Sequence, residues 1–287
     1  MKRLALLTLF LLGLSLHVAV AVPAEWTHPF PPFRIAGNLY YVGSEDLAAY
    51  LIVTPQGNIL INSNLASSPP QIRHSIEQLG FKFSDTKILL ISHGHYDHAA
   101  GSAAVKRLTG AKFEVMDGDV SVVQSGGRND FQFANDKTLW FPRVHVDRVL
   151  HDGDTVSLGG TTLTAHKTAG HTKGTTTWTM DQAESGKTLH VVIVGSPNVL
   201  DSYNLVNNSA YPQIADDFRR QFIVLKALPC DIFLGAHGAY FDLKSFSERL
   251  RNHDPNPFPS QLQYQAYVAD RESAFEAALK RQQASRK

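Results

Sequence analysis

The spacing of hydrophobic residues in the first half of the chain predicts short strands that alternate with helices. Ile72, Ile76 and Leu79 recur at helical spacing, and Gly80 follows them as a helix stop. Apolar and β-branched runs between turn residues predict strands instead. The predicted helices cover residues 71–79 and 99–109, and the predicted strands cover residues 38–42, 49–54, 58–62, 87–92 and 111–116.

The second half repeats this order of strands and helices. Ile214, Phe218, Phe222 and Leu225 form the apolar face of one helix, and a long helix is predicted at 261–283. Because strands followed by helices occur twice, we expect an α/β fold in which two sheets pack together with helices outside, a four-layer αββα sandwich. No low-complexity linker separates the halves, so we expect a single domain. The domain would cover residues 22–287, with strands within 149–158 and at 161–166, 175–180, 189–194 and 231–234.

The composition narrows the classes of function. Of the 287 residues, 43% are hydrophobic, which is enough for a globular core. The 27 basic and 26 acidic residues leave a net charge of +1, so a broad basic surface for nucleic acid is excluded and we expect no nucleic-acid partner. A single cysteine excludes an internal disulfide framework, whereas 13 histidines are available for metal binding.

Residues 1–21 have the three parts of a secretory signal peptide. Two basic residues are followed by an apolar core at residues 4–16 and by an Ala-Val-Ala cleavage site at residues 19–21. We therefore expect cleavage after Ala21 and a location outside the cytoplasm, which is the periplasm in a Gram-negative cell. The alternative is an N-terminal membrane anchor. The short apolar core disfavours it, so we expect no membrane partner.

Four side chains that bind metals, His93, His95, Asp97 and His98, occur within six residues directly after a predicted buried strand. Imidazole nitrogen and carboxylate oxygen are ligands that zinc takes at catalytic sites. In an extended segment His93 and His95 point to the same side and can hold one ion. Asp97 and His98 lie where the chain turns into a helix and can face a second ion, while Gly94 is expected to allow a tight turn. The alternative, a chance cluster on a surface loop, is disfavoured by the flanking strand and helix.

Two further histidines lie in glycine-flanked segments near strand ends. His171 is part of the turn Ala-Gly-His-Thr-Lys-Gly between two predicted strands, and His237 follows a buried strand in Gly-Ala-His-Gly. Sites collect at strand ends in layered α/β folds. A lone histidine in a loop is usually solvated, but together with the first motif both histidines become candidate metal ligands.

These three motifs, at residues 93–98, 169–174 and 235–238, resemble in their order the metal motifs of the metallo-β-lactamase superfamily. The resemblance extends from about Phe33 to the C-terminal helix. The segment 33–43 and the spacing of the motifs are similar to the third subclass of class B β-lactamases. The resemblance implies two zinc ions per chain, one held by His93, His95 and His171 and the other by Asp97, His98 and His237.

The implied activity is opening of a β-lactam ring by a metal-bound hydroxide, with Asp97 as the catalytic residue that orients the nucleophile. The substrate would be a small-molecule β-lactam, and we expect a monomer. One alternative is another metallo-hydrolase of the superfamily, acting on a lactone, a thiolester or a phosphoester. Many of those enzymes have a bridging aspartate where this chain has Ser196. The second alternative, a secreted zinc-binding protein without catalysis, is disfavoured by the complete ligand set.

Ser196, Asn198 and the segment 126–141 each have two interpretations, and Asn62 departs from the family pattern. Ser196 and Asn198 resemble the place where third-subclass enzymes use serines to bind the substrate carboxylate, but both could simply satisfy backbone groups in a turn. Asn62 replaces an aspartate found in many superfamily members, which we expect to weaken the orientation of a ligand histidine. Residues 126–141 combine glycines with aromatic residues and form either a mobile flap over the site or part of the core.

Overall fold

A computed structural model describes the chain over residues 22–285, so the predicted signal peptide lies outside the described residues. The strands are β1 (Phe33–Ala36), β2 (Leu39–Tyr41), β3 (Tyr50–Thr54), β4 (Gly57–Ile61), β5 (Thr86–Leu90), β6 (Lys112–Met116), β7 (Arg148–Leu150), β8 (Thr155–Leu158), β9 (Thr161–Lys167), β10 (Thr176–Glu184), β11 (Lys187–Val194) and β12 (Ile232–Gly235). The helices are α1 (Pro69–Gln78), α2 (Tyr96–Ala99), α3 (Ser102–Thr109), α4 (Val120–Ser125), α5 (Ile214–Ala227), α6 (Leu243–Arg251) and α7 (Gln261–Ala284).

Within the described residues, these strands form two mixed sheets. The first sheet has the order β1-β2-β3-β4-β5-β6-β7, antiparallel from β1 to β4 and parallel from β4 to β7. The second has the order β12-β11-β10-β9-β8 and is antiparallel except for the pair β11 and β12. Parallel neighbours need a crossover connection. Helix α1 connects β4 to β5, α2 and α3 connect β5 to β6, and α5 connects β11 to β12.

Alternation of side chains along the central strands builds the layers. Leu51, Leu60 and Leu89 lie in one buried cluster with Ile72 of α1 and Val105 of α3. Their neighbours point to the opposite face because the side-chain period of a strand is two. There they share a second cluster with residues of the other sheet and of α5 and α7, among them Ile52, Ile61, Leu90, Trp178, Ile193, Phe218 and Phe275. The order is therefore helices, sheet, sheet, helices, and the predicted four-layer αββα fold is confirmed.

The helix predicted at 99–109 is divided in the structure. The carbonyl of His98 accepts hydrogen bonds from the backbone N–H groups of Ser63 and Asn64, both at 3.2 Å, so it is engaged outside the helix. The N–H of Gly101 binds the Asn64 carbonyl at 2.9 Å. This exchange of bonds ends α2 at Ala99 and fixes the helix that carries Asp97 and His98 to the loop after β4.

The hairpin of β10 and β11 is longer than predicted. Its strands meet at the pair Glu184 and Lys187, with only Ser185 and Gly186 between them. Both turn residues have positive φ, 50° and 75°, as two-residue hairpin turns require. The residues at this end of the hairpin are mostly polar, so the hydrophobic pattern did not indicate that the strands continue there. Helices α4 and α6 were not predicted either. No helix in the range 22–285 is both long enough and apolar enough to cross a membrane.

Candidate metal centre

The segment that carries the first four candidate ligands begins where β5 ends, and Asn62 at the end of β4 holds it. Asn62 is fully buried, and its Oδ1 accepts hydrogen bonds from the N–H (2.8 Å) and the hydroxyl (3.1 Å) of Ser92. Its Nδ2 donates to the carbonyl of Ala48 at 3.0 Å. A carboxylate could not make that donation. Asn62 therefore orients the residue next to His93, and the departure from the family pattern has a defined role in this chain.

His93, His95 and His171 form a buried group of three imidazoles. The ring centroid of His93 lies 4.9 Å from that of His95 and 4.7 Å from that of His171. His95 Nδ1 lies 3.1 Å from His171 Nε2, and one ring nitrogen of each residue falls within 4.8 Å of the others. His93 Nε2 is buried without a hydrogen-bond partner among the described residues. The three side chains predicted to hold one ion are thus brought together.

Asp97, His98 and His237 form an adjacent group. Asp97 Oδ2 lies 3.1 Å from His98 Nε2 and 3.5 Å from His237 Nε2, and the two imidazole nitrogens are 3.2 Å apart. Asp97 and His98 belong to the short helix α2, whereas His237 follows β12. His93, Asp97 and His98 also offer ligand atoms within 4.8 Å of one another, so the two groups are contiguous. All six candidate ligands therefore converge, and their assignment to two ions stays a prediction.

The protonation of these groups suits metal binding. Burial and then His95 lower the pKa of His171 to about 3, and burial together with His98 lowers the pKa of His93 well below its usual value. Burial would raise the pKa of Asp97, but His98 and His237 outweigh it and hold that pKa well below the usual range. The neutral imidazoles of His93, His98 and His171 and the ionised carboxylate of Asp97 are donors that zinc takes, so the residues fit that metal.

His237, like His95 beside Asp130, has a pKa above the ordinary value of a histidine. Burial lowers its pKa, but hydrogen bonds to Asp46 and Asp97 raise it to about 9. Its Nδ1 lies 2.8 Å from Asp46 Oδ2, which also accepts a hydrogen bond from Trp26 Nε1 at 3.1 Å. With Nδ1 turned to Asp46, Nε2 faces the centre, where a bound metal ion would displace its proton.

Two of the three imidazoles in the first group also have a partner on the outer side. His95 Nε2 lies 3.4 Å from Asp130 Oδ2, and His171 Nδ1 lies 2.8 Å from the carbonyl oxygen of Asn198. Such outer partners fix which ring nitrogen faces a metal. They leave His95 Nδ1 and His171 Nε2 directed at the centre.

Asp119, in the turn after β6, joins two ligand-bearing loops. Its buried carboxylate accepts hydrogen bonds from Gly94 N (2.7 Å), Thr172 Oγ (2.7 Å) and Gly174 N (2.9 Å). A Cβ on Gly94 would approach Asp119 to 3.2 Å, and one on Gly174 to 2.5 Å. Gly94 is not among the residues with positive φ. It makes room for the Asp119 carboxylate, rather than serving the tight turn expected from the sequence.

A cavity of about 440 Å³ opens onto the histidines. Ser196 and Asn198 lie on its wall beside His237, and Tyr240 joins them. The Tyr240 hydroxyl lies 3.2 Å from Ser196 Oγ and accepts a hydrogen bond from Asn198 Nδ2 at 2.8 Å. Whether Ser196 and Asn198 contact substrate stays a prediction. The other lining residues include Trp26, Asp46, His95, Tyr96, Asp97, Phe133, Leu139, His171 and Leu200.

The segment 126–141 contributes to both the core and the site. Phe131 packs against Tyr203 and Tyr211, with ring centroids 5.2 Å and 5.0 Å apart. Phe133 lies against the ring of His95 at 5.3 Å and lines the cavity. Phe131 thus packs in the core and Phe133 lines the cavity, and whether the segment moves as a flap over the site stays a prediction.

Sequence reasoning missed Asp46, Asp119, Asp130 and Tyr240. The three aspartates lie in loops and carry no distinguishing pattern, because their partners are 191, 25 and 35 positions away along the chain. Tyr240 had a signal, since it lies three residues after His237 in the same loop.

Comparison with known proteins gives matches over nearly the whole chain. A family model described as the metallo-β-lactamase superfamily matches residues 47–182. The native FEZ-1 metallo-β-lactamase of Legionella gormanii is 55% identical, with a TM-score of 0.88 over 89% of this chain and 98% of that one. BJP-1, a subclass B3 metallo-β-lactamase of Bradyrhizobium japonicum, is 35% identical, with a TM-score of 0.86 over 92% and 99%. The class B3 di-zinc enzyme LRA-12 from an Alaskan soil metagenome is 37% identical, with a TM-score of 0.86 over 90% and 98%.

Curated proteins match over shorter segments. A UPF0173 metal-dependent hydrolase of Rubrobacter xylanophilus is 40% identical over 85 residues, which are 28% of this chain and 31% of that protein. One from Anaeromyxobacter dehalogenans is 25% identical over 184 residues, 63% of this chain and 61% of that protein. The chain thus spans less than two thirds of the length of these curated relatives.

Proposed function

This chain belongs to the metallo-β-lactamase superfamily, and we propose that it is a zinc-dependent hydrolase that opens the β-lactam ring of antibiotics. The observation that carries this proposal is the convergence of five imidazoles and one carboxylate at the floor of a cavity large enough for a small molecule. The likeness to enzymes described as subclass B3 β-lactamases, over nine tenths of the chain, supports the choice of reaction.

Two zinc ions per chain are part of the proposal. His93, His95 and His171 would hold one, and Asp97, His98 and His237 would hold the other. Each ion would then have three protein ligands, which leaves a position for water and substrate. When bound, zinc supplies a Lewis acid that makes water nucleophilic near pH 7 and polarises the carbonyl under attack.

The protein residues orient and enclose the reaction. The Asp97 carboxylate, ionised at neutral pH, can accept a hydrogen bond from the attacking water and so direct its lone pair at the lactam carbonyl. Phe133, Leu139 and Leu200 give the cavity an apolar wall, and a substrate bound against it would displace water and so strengthen electrostatic interactions inside the cavity. Ser196 would bind the substrate carboxylate.

One preparation tested against three substrate classes decides the reaction. Nitrocefin, an S-acyl glutathione and a lactone would be supplied in turn to the zinc-loaded protein and to the protein after chelation. We expect nitrocefin hydrolysis that chelation abolishes and zinc restores. Faster turnover of the lactone or the thiolester would overturn the proposed substrate class, and full activity without metal would overturn the zinc mechanism.

The proposal also includes the location of the protein and its subunit state. We infer from residues 1–21 that the chain is exported to the periplasm and cleaved after Ala21. It would act there as a monomer on small-molecule β-lactams, without a nucleic-acid or membrane partner. The intact mass of periplasmic protein tests the cleavage, since a chain that still begins at Met1 would contradict it. Light scattering tests the monomer.

A further inference from the structure

A buried glutamine of helix α5 lies between the two chain segments that surround His171. Gln221 is fully buried, and its Nε2 donates hydrogen bonds to the carbonyls of Thr168 and Ser196, both at 2.8 Å. Within residues 22–285, no second donor reaches either carbonyl. One amide nitrogen therefore joins the segment that follows β9 to the segment that follows β11.

The two segments carry His171 and the group that orients its ring. His171 lies three residues beyond Thr168. Asn198 lies two residues beyond Ser196, and its carbonyl oxygen is 2.8 Å from His171 Nδ1. The residue between Ser196 and Asn198 is a proline with a fixed φ, so the connection is short and stiff. Gln221 thus links a candidate ligand to the outer partner of that ligand.

The orientation of the Gln221 amide follows from its partners. A carbonyl oxygen only accepts, so two carbonyls can be bonded by the NH2 group and by no other part of the side chain. The Oε1 atom is left buried without a partner among the described residues, which costs free energy. A hydrocarbon side chain of the same length would avoid that cost but would leave both carbonyls unbonded. The glutamine is therefore suited to joining the two segments rather than to filling space.

The same face of α5 packs against the residue that precedes His171. Phe218 lies one turn before Gln221, and a Cβ on Gly170 would come within 2.8 Å of its ring. Gly170 has a φ of 143°, which side chains other than glycine rarely adopt. Helix α5 is thus the surface on which the His171 loop is set, with Phe218 as the steric contact and Gln221 as the directional one.

We propose that Gln221 is a positioning residue for the zinc ligand His171. By tying Thr168 and Ser196 to one point on α5, it sets the distance between His171 Nδ1 and the Asn198 carbonyl. That hydrogen bond keeps the proton on Nδ1 and directs Nε2 at the metal, as outer partners of metal-binding histidines do. The inference rests on the proposed function, because it requires a zinc ion at the three-histidine group.

Zinc titration of Gln221→Met tests the proposal. Methionine keeps the length of the side chain and removes both donors. The three-histidine group, whose loops Asp119 joins, should take the first equivalent of zinc. We expect the affinity for this equivalent to fall about tenfold, the lower end of the range for outer partners, because Gln221 acts through Asn198. The affinity for the second equivalent should not change. Competition with a chromophoric chelator, on purified full-length protein, measures both affinities.

Tyr264→Phe is the matched control. Its buried hydroxyl donates to the Leu225 carbonyl at 2.6 Å, one turn beyond Gln221 on the same helix. Each variant removes buried hydrogen bonds that attach α5 to its surroundings, so each should lower the urea concentration at which the metal-free protein unfolds. Only Gln221→Met should also weaken binding of the first zinc equivalent.

A spectroscopic measurement reports on His171 itself. In zinc-loaded protein with isotope-labelled histidine, the proton on His171 Nδ1 should exchange with water faster in Gln221→Met than in the native chain or in Tyr264→Phe. Because coupling between two sites is reciprocal, binding of the first zinc equivalent to the native protein should in turn slow exchange of the Gln221 side-chain amide. This second measurement needs no variant, so it decides the proposal even if Gln221→Met does not fold.

The outcomes separate this inference from the proposed function. If the native protein binds two equivalents of zinc and hydrolyses nitrocefin while Gln221→Met titrates like it, the inference alone is overturned. Weakening of both equivalents alike or of the second alone, or Gln221 amide exchange that zinc does not change, would assign Gln221 to the stability of the fold and also overturn it. A native protein that binds no zinc would remove the proposed function and the inference together.

Discussion

His95 and His237 hold comparable places in the two halves of the metal centre, but their outer nitrogens meet different surroundings. His95 faces Asp130, and the two side chains are only 8% and 3% exposed. His237 faces Asp46, and these side chains are 15% and 16% exposed. Asp46 accepts hydrogen bonds from Trp26 Nε1, which lies in the segment before β1, and from the N–H of Ala239 in the His237 loop.

The comparison extends to the loops themselves. Asp119 joins the loops of His95 and His171 through buried hydrogen bonds, so the three-histidine group is braced from the interior. Within the described residues, the hydrogen bonds of Asp46 are the corresponding brace for His237, and they lie at the cavity wall. Buried, fully paired networks rigidify a site more than exposed ones. We therefore expect the second group to bind its ion less tightly.

Removing His95 should have the largest effect. Alanine would take away a ligand of the three-histidine group and leave Asp130 buried without its partner. We expect zinc content to fall and activity to fall more than the roughly 10–100-fold that loss of an outer partner costs. Elemental analysis and nitrocefin kinetics check this. His74→Ala on the exposed side of α1 is the matched control and should behave like the native protein.

Replacing the two outer aspartates tests the comparison directly. Asp130→Ala and Asp46→Ala should each weaken zinc binding by about 10–100-fold, but at different ions. We expect Asp46→Ala to lower the affinity for the second equivalent of zinc and leave the first unchanged. Asp130→Ala should lower the affinity for the first. Competition titrations with a chromophoric chelator measure both affinities. Identical titration curves for the two variants would show that Asp130 and Asp46 do not support different zinc sites.

Asp119→Ala should destabilise the fold as well as the site. It leaves the Gly94 and Gly174 N–H groups and the Thr172 hydroxyl without their acceptor. We expect a loss of about 2 kcal/mol in the free energy of unfolding, measured by urea denaturation. Asp201→Ala, at an exposed position, is the control. If Asp119→Ala unfolds at the same urea concentration as the native chain, Asp119 does not brace the two loops.

Trp26→Phe should have the smallest effect. It keeps an aromatic ring beside His237 and removes only the indole N–H that donates to Asp46. A neutral donor to a charged acceptor on a partly exposed wall is worth about 1 kcal/mol, so the second zinc should bind about fivefold more weakly. An effect as large as that of Asp46→Ala would show that Trp26, and not Asp46, holds His237 in place.

The layers and the ligand motifs could be predicted from the sequence because both are local patterns. Alternation such as Leu51 beside Ile52 defines the faces of a strand, and His93 to His98 form one short motif. The braces could not be predicted, since Asp119 meets Gly94 and Gly174 only after the loops are folded. The break before α3 had the same cause, because the carbonyl of His98 finds its donors on Ser63 and Asn64 rather than in its own helix.

The separation of the ligands along the chain has a consequence for the order of events during folding. His95 and His171 are 76 positions apart, and His98 and His237 are 139 apart. Contacts of such long range form late and slowly, since loop closure must come first. No fragment that emerges early in synthesis contains a complete ligand set. We therefore expect stable metal binding to follow assembly of both sheets. Bound zinc would then stabilise the finished fold by a free energy that rises with the logarithm of the free metal concentration.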